Sequence, residues 1–344
     1  MKKIIIASPH QNAGKTSLIV GLAKALNQKV GYLKPLGDRL LYQKKRQWDY
    51  DSATMTNLVG IQENPEDITI GFEHSKLRFM YDEKEIRNKL SQTLAAIDNR
   101  DIVFIESGKN LSCGMSVHLD PVSLASFTTG KLIVVISGTD DEIYDDVCFL
   151  KKYLENTNVD FGGVIINKIR DKKEFEHVHL GNIKEIGLKI LGVMPYAPEL
   201  THRHVAYLAD KMFAKVIAGE ENLTRLVKTV VVGAMSANSV ISLPIFRAED
   251  KLVITSGDRS DMIVAALETN SAAIILTNNI LPPANIISKA TELGIPLLLV
   301  RYDTFEAAKQ VDDLEPLLTK DDAPKAELLG KLATEHINIE AILG

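Results

Sequence analysis

Lys3-Ile4-Ile5-Ile6-Ala7-Ser8-Pro9-His10-Gln11-Asn12-Ala13-Gly14-Lys15-Thr16-Ser17 is the stretch whose reading decides the fold. Residues 3–7 form a short apolar run, rich in β-branched side chains and bounded by turn formers, which predicts a buried strand. Over residues 16–26, Leu18, Leu22, Ala25 and Leu26 recur at helical spacing. A Gly-Lys-Thr held between a buried strand and a helix is the context in which that triplet cradles phosphate. Gly14 lets the backbone pass close to the anion. The free N–H groups and the dipole of the helix N-terminus favour negative charge there. Lys15 places a cation on the outer phosphates, and the Thr16 hydroxyl is a ligand for Mg²⁺. Asn12, Ala13, Gly14, Lys15, Thr16 and Ser17 are therefore expected to line a nucleotide. The loop is a variant, because Pro9 stands where the first glycine of G-x-x-x-x-G-K-[ST] falls.

Outward from this loop, residues 30–33, 102–105, 132–136, 163–166 and 190–193 are further apolar runs. They are continuous rather than alternating, the mark of strands buried on both faces in a parallel sheet. Residues 83–97 and 143–156 look helical and fit the crossovers between such strands. Residues 1–215 thus read as one P-loop domain with a doubly wound, mostly parallel α/β sheet. Residues 199–216 look like a helix bridging to a second, smaller α/β domain, residues 216–320. Strand-like runs at 229–233, 252–255, 272–276 and 296–300, with helices at 262–268 and 285–293, make up that domain. The tail, 321–344, is charged and weakly amphipathic and reads as a docking helix or a frayed end.

Bulk properties narrow the function classes. A chain of 344 residues suits two domains, and 45% hydrophobic with 25% charged residues is the composition of a globular core. The net charge of -5 provides no electrostatic footprint for nucleic acid or for an anionic membrane, so neither is expected as a partner. Two cysteines, Cys113 and Cys148, are no disulfide framework and show no metal-ligand spacing. They point to a reducing compartment. The N-terminal apolar run is too short for a signal peptide, and no run approaches the ~18 residues that span a bilayer. The expected location is cytoplasmic.

Six features, in order, resemble the dethiobiotin-synthetase-like branch of P-loop proteins. Ser8 stands where that group has its early glycine. Lys34-Pro35 follows the second strand, Asp51-Ser52-Ala53 comes next, and Ile105-Glu106-Ser107-Gly108 stands in place of a strand ending in Glu-Gly. Asn167 ends a later strand, and Gly192-Val193-Met194-Pro195 matches a Gly-x-x-Pro strand end. The second domain resembles the DRTGG domain, whose signature is matched loosely by Gly257-Asp258-Arg259-Ser260-Asp261. The combination is similar to the N-terminal half of long bacterial phosphate acetyltransferases and to stand-alone archaeal and bacterial proteins of that build. In the long enzymes acetyl transfer belongs to a further C-terminal domain, so that activity is not expected here.

The resemblance implies ATP and Mg²⁺ as cofactors and assigns roles. Asp51 and Glu106 would join Thr16 at the metal, with Asp49 an alternative to Asp51. Lys34 would face the γ-phosphate or a substrate carboxylate. Asn167 would contact the adenine, its plain alternative being a strand-end cap. A GTPase-like reading of Asn167-Lys168-Ile169-Arg170 fails because Arg170 occupies the position of the guanine-binding Asp. Asp258, Arg259 and Asp261 mark a second ligand pocket or a dimer contact, or else Asp258 or Ser260 simply caps a helix. His177 and His179, and His202 and His204, are read as surface residues, since positions i and i+2 of a helix point apart. Two functions are consistent with these residues. One is a regulatory or metabolite-sensing module that binds Mg-ATP and self-associates as a homo-oligomer. The other is an ATP-dependent carboxylate or carbamate ligase, using Lys15 and Lys34 catalytically. The departures Leu36-Gly37-Asp38-Arg39 and Lys109-Asn110, in the loops that bind substrate in the ligases, weigh against the second.

Overall fold

Ile4, Ile5 and Ile6 are all buried to 1% exposure or less, although successive side chains of a strand point to opposite faces. The strand Lys2–Ala7 is therefore covered on both sides, as its unbroken apolar run requires. The structure, a computed structural model, describes all residues except Asn27, Lys44, Lys45 and Asp98. Among the described residues, Lys2–Ala7 lies inside a six-stranded sheet of order Val30–Leu33, Ile102–Glu106, Lys2–Ala7, Lys131–Ile136, Phe161–Ile169, Ile190–Pro195. Every neighbouring pair is parallel. Strand order reverses on either side of Lys2–Ala7, and open α/β sheets bind ligands at the carboxyl ends of strands beside such a switch point. Register fixes what gathers there, because Ile6 pairs with Glu106 on one side and with Ile133 on the other.

The chain divides into two units, Met1–Tyr196 with Leu318–Gly344, and Ala197–Leu317. This corrects the expected boundary at 215/216 and the separate tail. The bridging helix expected over 199–216 does not form as one element. The segment consists of a 3-10 turn Pro198–Thr201, a two-residue strand Arg203–His204, a helix Val205–Lys211 and a strand Lys215–Ala218. Phe213 takes a positive φ of 50° that ends the helix. Lys215–Ala218 then pairs antiparallel with Leu297–Leu299. The tail forms the helices Ala323–His336 and Ile339–Leu343. The longer one packs on the helix Lys15–Ala25 through two glycines. A Cβ at Gly21 would come within 2.7 Å of the Leu329 carbonyl oxygen, and one at Gly330 within 2.8 Å of Lys24 Cβ.

The second unit holds a five-stranded sheet of order Lys215–Ala218, Leu297–Leu299, Ser271–Thr277, Lys251–Ser256, Thr229–Val232, parallel except for the first strand. Val253 and Ile274 enter one buried cluster with Met262 and Ile263, while Leu252, Ile254 and Ile275 enter another with Leu208 and Val311. Each strand thus feeds two cores. That is the physical reason its residues read as a continuous apolar run.

Candidate nucleotide site

The loop after Lys2–Ala7 turns into the helix Lys15–Ala25 through two left-handed residues, Asn12 at φ 63° and Gly14 at φ 99°. A side chain at Gly14 would also collide with Asn167 Nδ2, so glycine is demanded twice over. Asn167, on the strand Phe161–Ile169, donates from that nitrogen to the Ala13 carbonyl at 2.9 Å. Lys168 Nζ donates to the Asn12 carbonyl at 2.6 Å. The strand end therefore clasps the loop from outside. On another side His10 Nε2 lies 2.9 Å from Asp146 Oδ1.

Inside the loop, Lys15 Nζ donates to Ser8 Oγ at 2.9 Å, and that hydroxyl donates to the His10 carbonyl at 2.7 Å. Burial lowers the Lys15 ammonium from its ordinary range, against the upward pull of Glu106. Thr16 Oγ1 donates to Glu106 Oε1 at 3.0 Å, and the buried Tyr32 hydroxyl donates to Glu106 Oε2 at 2.9 Å. Glu106 is only 2% exposed, so it is not a solvated turn carboxylate. Burial pushes it up to about 7, with Lys34 and Lys15 pulling the other way. Ser17 is half-buried in the first turn of the helix.

Lys34 is 1% exposed. Its ammonium donates to Asp38 Oδ1 at 2.8 Å and to Asp51 Oδ2, and lies 3.6 Å from Asp49 Oδ1 and 3.8 Å from Glu106 Oε1. Burial alone would lower its pKa; the four carboxylates outweigh that and hold it well above the usual lysine range. Lys34 was expected to face a phosphate or a substrate carboxylate, and it is neutralised by side chains of its own chain. Arg39 donates to Asp51 Oδ2 at 3.2 Å and to Asn12 Oδ1 at 2.9 Å, tying the acidic cluster to the phosphate loop.

Asp49 and Asp51 are now distinguishable. Asp49 Oδ1 caps the helix Tyr50–Leu58 by accepting from Asp51 N at 3.0 Å and Ser52 N at 3.1 Å. Its Oδ2 accepts from Asp38 N at 3.1 Å and Arg39 N at 3.3 Å. Its acceptors are spent on backbone, and burial raises its pKa. Asp51, by contrast, meets the cationic side chains of Lys34 and Arg39 through Oδ2. Lys34 and Arg39 hold it below the usual range against the upward push of burial. Magnesium takes hard oxygen donors, commonly one or two carboxylates with phosphate oxygens. The Thr16 hydroxyl and Glu106 supply such donors at the mouth of the loop, and Asp51 and Glu106 both lie within 4 Å of the Lys34 ammonium. The donor set fits the ion.

Periodicity did not single out Tyr32, Arg39 or the His10–Asp146 pair. A tyrosine inside an otherwise aliphatic buried strand was the one available signal, since a buried hydroxyl needs a partner. Among the site readings of the second unit only the helix-cap alternative is changed, and the four histidines all keep some exposure, as surface residues would. The helix Ser260–Glu268 has Arg259 at its N-cap and no capping side chain, so neither Asp258 nor Ser260 caps it. Arg259 donates to Asp261 Oδ1 at 3.2 Å and to the Met235 carbonyl at 2.8 Å, bracing the loop beyond the strand Thr229–Val232, while Asp258 is exposed. His177 is exposed, whereas His179, His202 and His204 are half-buried; His179 faces Asp140 at 3.3 Å, and His204 Nδ1 lies 2.7 Å from the Thr224 carbonyl.

Among the described residues, no helix is long and apolar enough to cross a membrane. The AAA domain family model matches residues 2–204 and the DRTGG domain model residues 207–314. The chain is 25% identical to a phosphate acetyltransferase of Pseudomonas putida, over 98% of this chain and 51% of that protein. It thus spans about half the length of the curated relatives it matches. Among solved structures, the MinD cell division protein of Aquifex aeolicus is 17% identical, covering 58% of this chain and 84% of that one, with a TM-score of 0.35. The CBS and DRTGG domains of the regulatory region of Clostridium perfringens pyrophosphatase, complexed with diadenosine tetraphosphate, are 24% identical, covering 33% and 47%, with a TM-score of 0.29. The chain belongs to the AAA domain family, with a dethiobiotin-synthetase-like P-loop nucleotide-binding domain followed by a DRTGG domain.

Proposed function

We propose that the first unit binds ATP with Mg²⁺ and that the protein is a regulatory or metabolite-sensing module. The observation that carries the reading is the convergence of Lys15, Thr16 and Glu106 where the strand Lys2–Ala7 gives way to a helix N-terminus. In this reading Lys15 meets the outer phosphates, and Thr16 and Glu106 hold the metal with Asp51 beyond Lys34. The adenine lies beside Asn167, whose amide is fixed against the loop. ATP is favoured over GTP because Arg170, which packs over the Tyr196 ring at 5.7 Å, offers no acceptor for guanine.

The ligase reading asks for an ammonium facing a substrate carboxylate. The salt bridges from Lys34 to Asp38 and Asp51 weigh against it. The second unit, with the Arg259–Asp261 brace, is where an effector or a second copy would act. Effector and ATP would then change each other's affinity by the same factor. A thermal-shift screen of small metabolites, run with and without Mg-ATP, tests this. A metabolite whose shift changes on adding Mg-ATP supports the sensing role. Substrate-dependent ADP release that disappears in Lys34→Ala would establish the ligase instead.

A further inference from the structure

The Lys34 ammonium sits where carboxylates from three segments of the chain meet: Asp38, Asp49 with Asp51, and Glu106. One oxygen from each of Asp38, Asp49 and Asp51 lies within 4.8 Å of the others; those of Asp49 are taken by backbone N–H groups, which leaves Asp38 and Asp51 as the donors a divalent cation would compete for. Four carboxylates packed this closely cannot all ionise without a compensating cation. Here that cation is covalently part of the chain, and it is almost completely withheld from solvent. It donates to Asp51 and lies 3.8 Å from Glu106 Oε1, the two carboxylates assigned above to the metal.

We infer that Lys34 is an internal stand-in for the metal, which shuts free divalent ions out of the site and yields only to a metal arriving with a nucleotide. The inference rests on the proposed Mg-ATP site. A bare dication would have to settle beside a buried ammonium and take its carboxylate partners away, leaving that ammonium unpaired. A metal–nucleotide complex brings its own anion. The ammonium can then turn from Asp51 toward phosphate oxygen while the metal takes the carboxylates. Metal and nucleotide binding become one event, and each raises the other's affinity by the same factor. Lys34 is thus a specificity-determining residue whose effect is read in the binding of metal without nucleotide and in the coupling between the two.

The test titrates the full chain with Mn²⁺ alone, following free Mn²⁺ by electron paramagnetic resonance, and repeats it with ATP present. The wild type is expected to bind Mn²⁺ weakly without ATP. Lys34→Met and Lys34→Gln should each bind Mn²⁺ alone at least tenfold more tightly, and the enhancement of Mn²⁺ binding by ATP should shrink. Lys34→Arg, which keeps a cation, should behave as the wild type. Neutral variants that bind Mn²⁺ no better than the wild type, or an arginine variant that gains as much, overturn the inference. If both neutral variants fail to fold, the wild type decides by thermal shift: Mn²⁺ alone leaves the melting temperature unchanged, and a rise with Mn²⁺ alone overturns the inference. If Lys34→Met gains Mn²⁺ affinity while the wild type binds no ATP, the gate stands and the nucleotide reading falls.

Discussion

Thr16 Oγ1 lies 3.0 Å from Glu106 Oε1, joining residues that are 90 positions apart in the chain. The parallel register that sets Ile6 beside Glu106 brings the two within reach, since Thr16 lies in the first turn of the helix that follows the same strand. Glu106→Gln keeps the size of the side chain and removes its charge. We expect the gain in ATP affinity on adding Mg²⁺ to fall by about tenfold or more, as for the loss of a charge-assisted contact. The fold should survive, because the change takes a buried charge away. Calorimetric titration with and without Mg²⁺ measures both affinities, and an unchanged Mg²⁺ increment removes Glu106 from the metal.

Gly14 answers to both backbone conformation and space. Gly14→Ala places a Cβ at φ 99° and against Asn167 Nδ2, and should cost roughly 1–3 kcal/mol of stability together with nucleotide binding. Adding Asn167→Ala removes the collision and not the strain. The double variant should recover part of the stability and none of the binding. Urea unfolding of the four proteins in this cycle reads the coupling directly.

The helix pair formed by Lys15–Ala25 and Ala323–His336 approaches closely at glycines. Gly21→Ala would bring a Cβ within 2.7 Å of the Leu329 carbonyl, a backbone atom that cannot swing aside. A loss of about 1–3 kcal/mol is expected, in spite of the better helix propensity of alanine. A melting temperature at or above that of the wild type would show that the terminal helix is not held as described.

The sheets were legible because both faces of each are covered. Residues 30–33 read as a strand and form one, Val30–Leu33, and the same argument located Ser271–Thr277 to within a residue. Lys215–Ala218 was hidden because an antiparallel edge strand of four residues, one of them Lys215, lacks a long apolar run. The return of the terminal helix was also hidden, since weak amphipathicity does not name a partner. At the candidate site, local order pointed to Lys15 and Thr16 and the strand end to Glu106, and the fold brings Thr16 and Glu106 together. The capture of Lys34 by Asp38 and Asp51 was not legible, because which charges neighbour each other is decided by tertiary packing.

Lys251 supplies a pH test for the second unit. It is fully buried, donating to the carbonyls of Ala248 at 3.2 Å and of Thr269, and burial pushes its ammonium down to about 8. In the unfolded chain it titrates near the ordinary lysine value. Between about 8 and about 10.5 the unfolded state therefore binds more protons, and stability contributed by this group rises with pH. Below pH 8 the full penalty of the buried charge is present. Relative to Lys251→Met, the wild type should gain up to roughly 3 kcal/mol across that window. Parallel stability curves for the two proteins from pH 7.5 to 10.5 would contradict it.

In the proposed function the phosphate loop holds ATP through Lys15. Calorimetric titration of the full chain with ATP and Mg²⁺, with GTP alongside and Lys15→Ala as control, tests it most directly. Saturable binding of ATP is expected, with GTP weaker by at least about tenfold and ATP binding weakened by about a hundredfold in Lys15→Ala, as befits the removal of a buried charge-assisted contact. A wild type that binds neither nucleotide, or a Lys15→Ala variant that binds ATP as the wild type does, would contradict it.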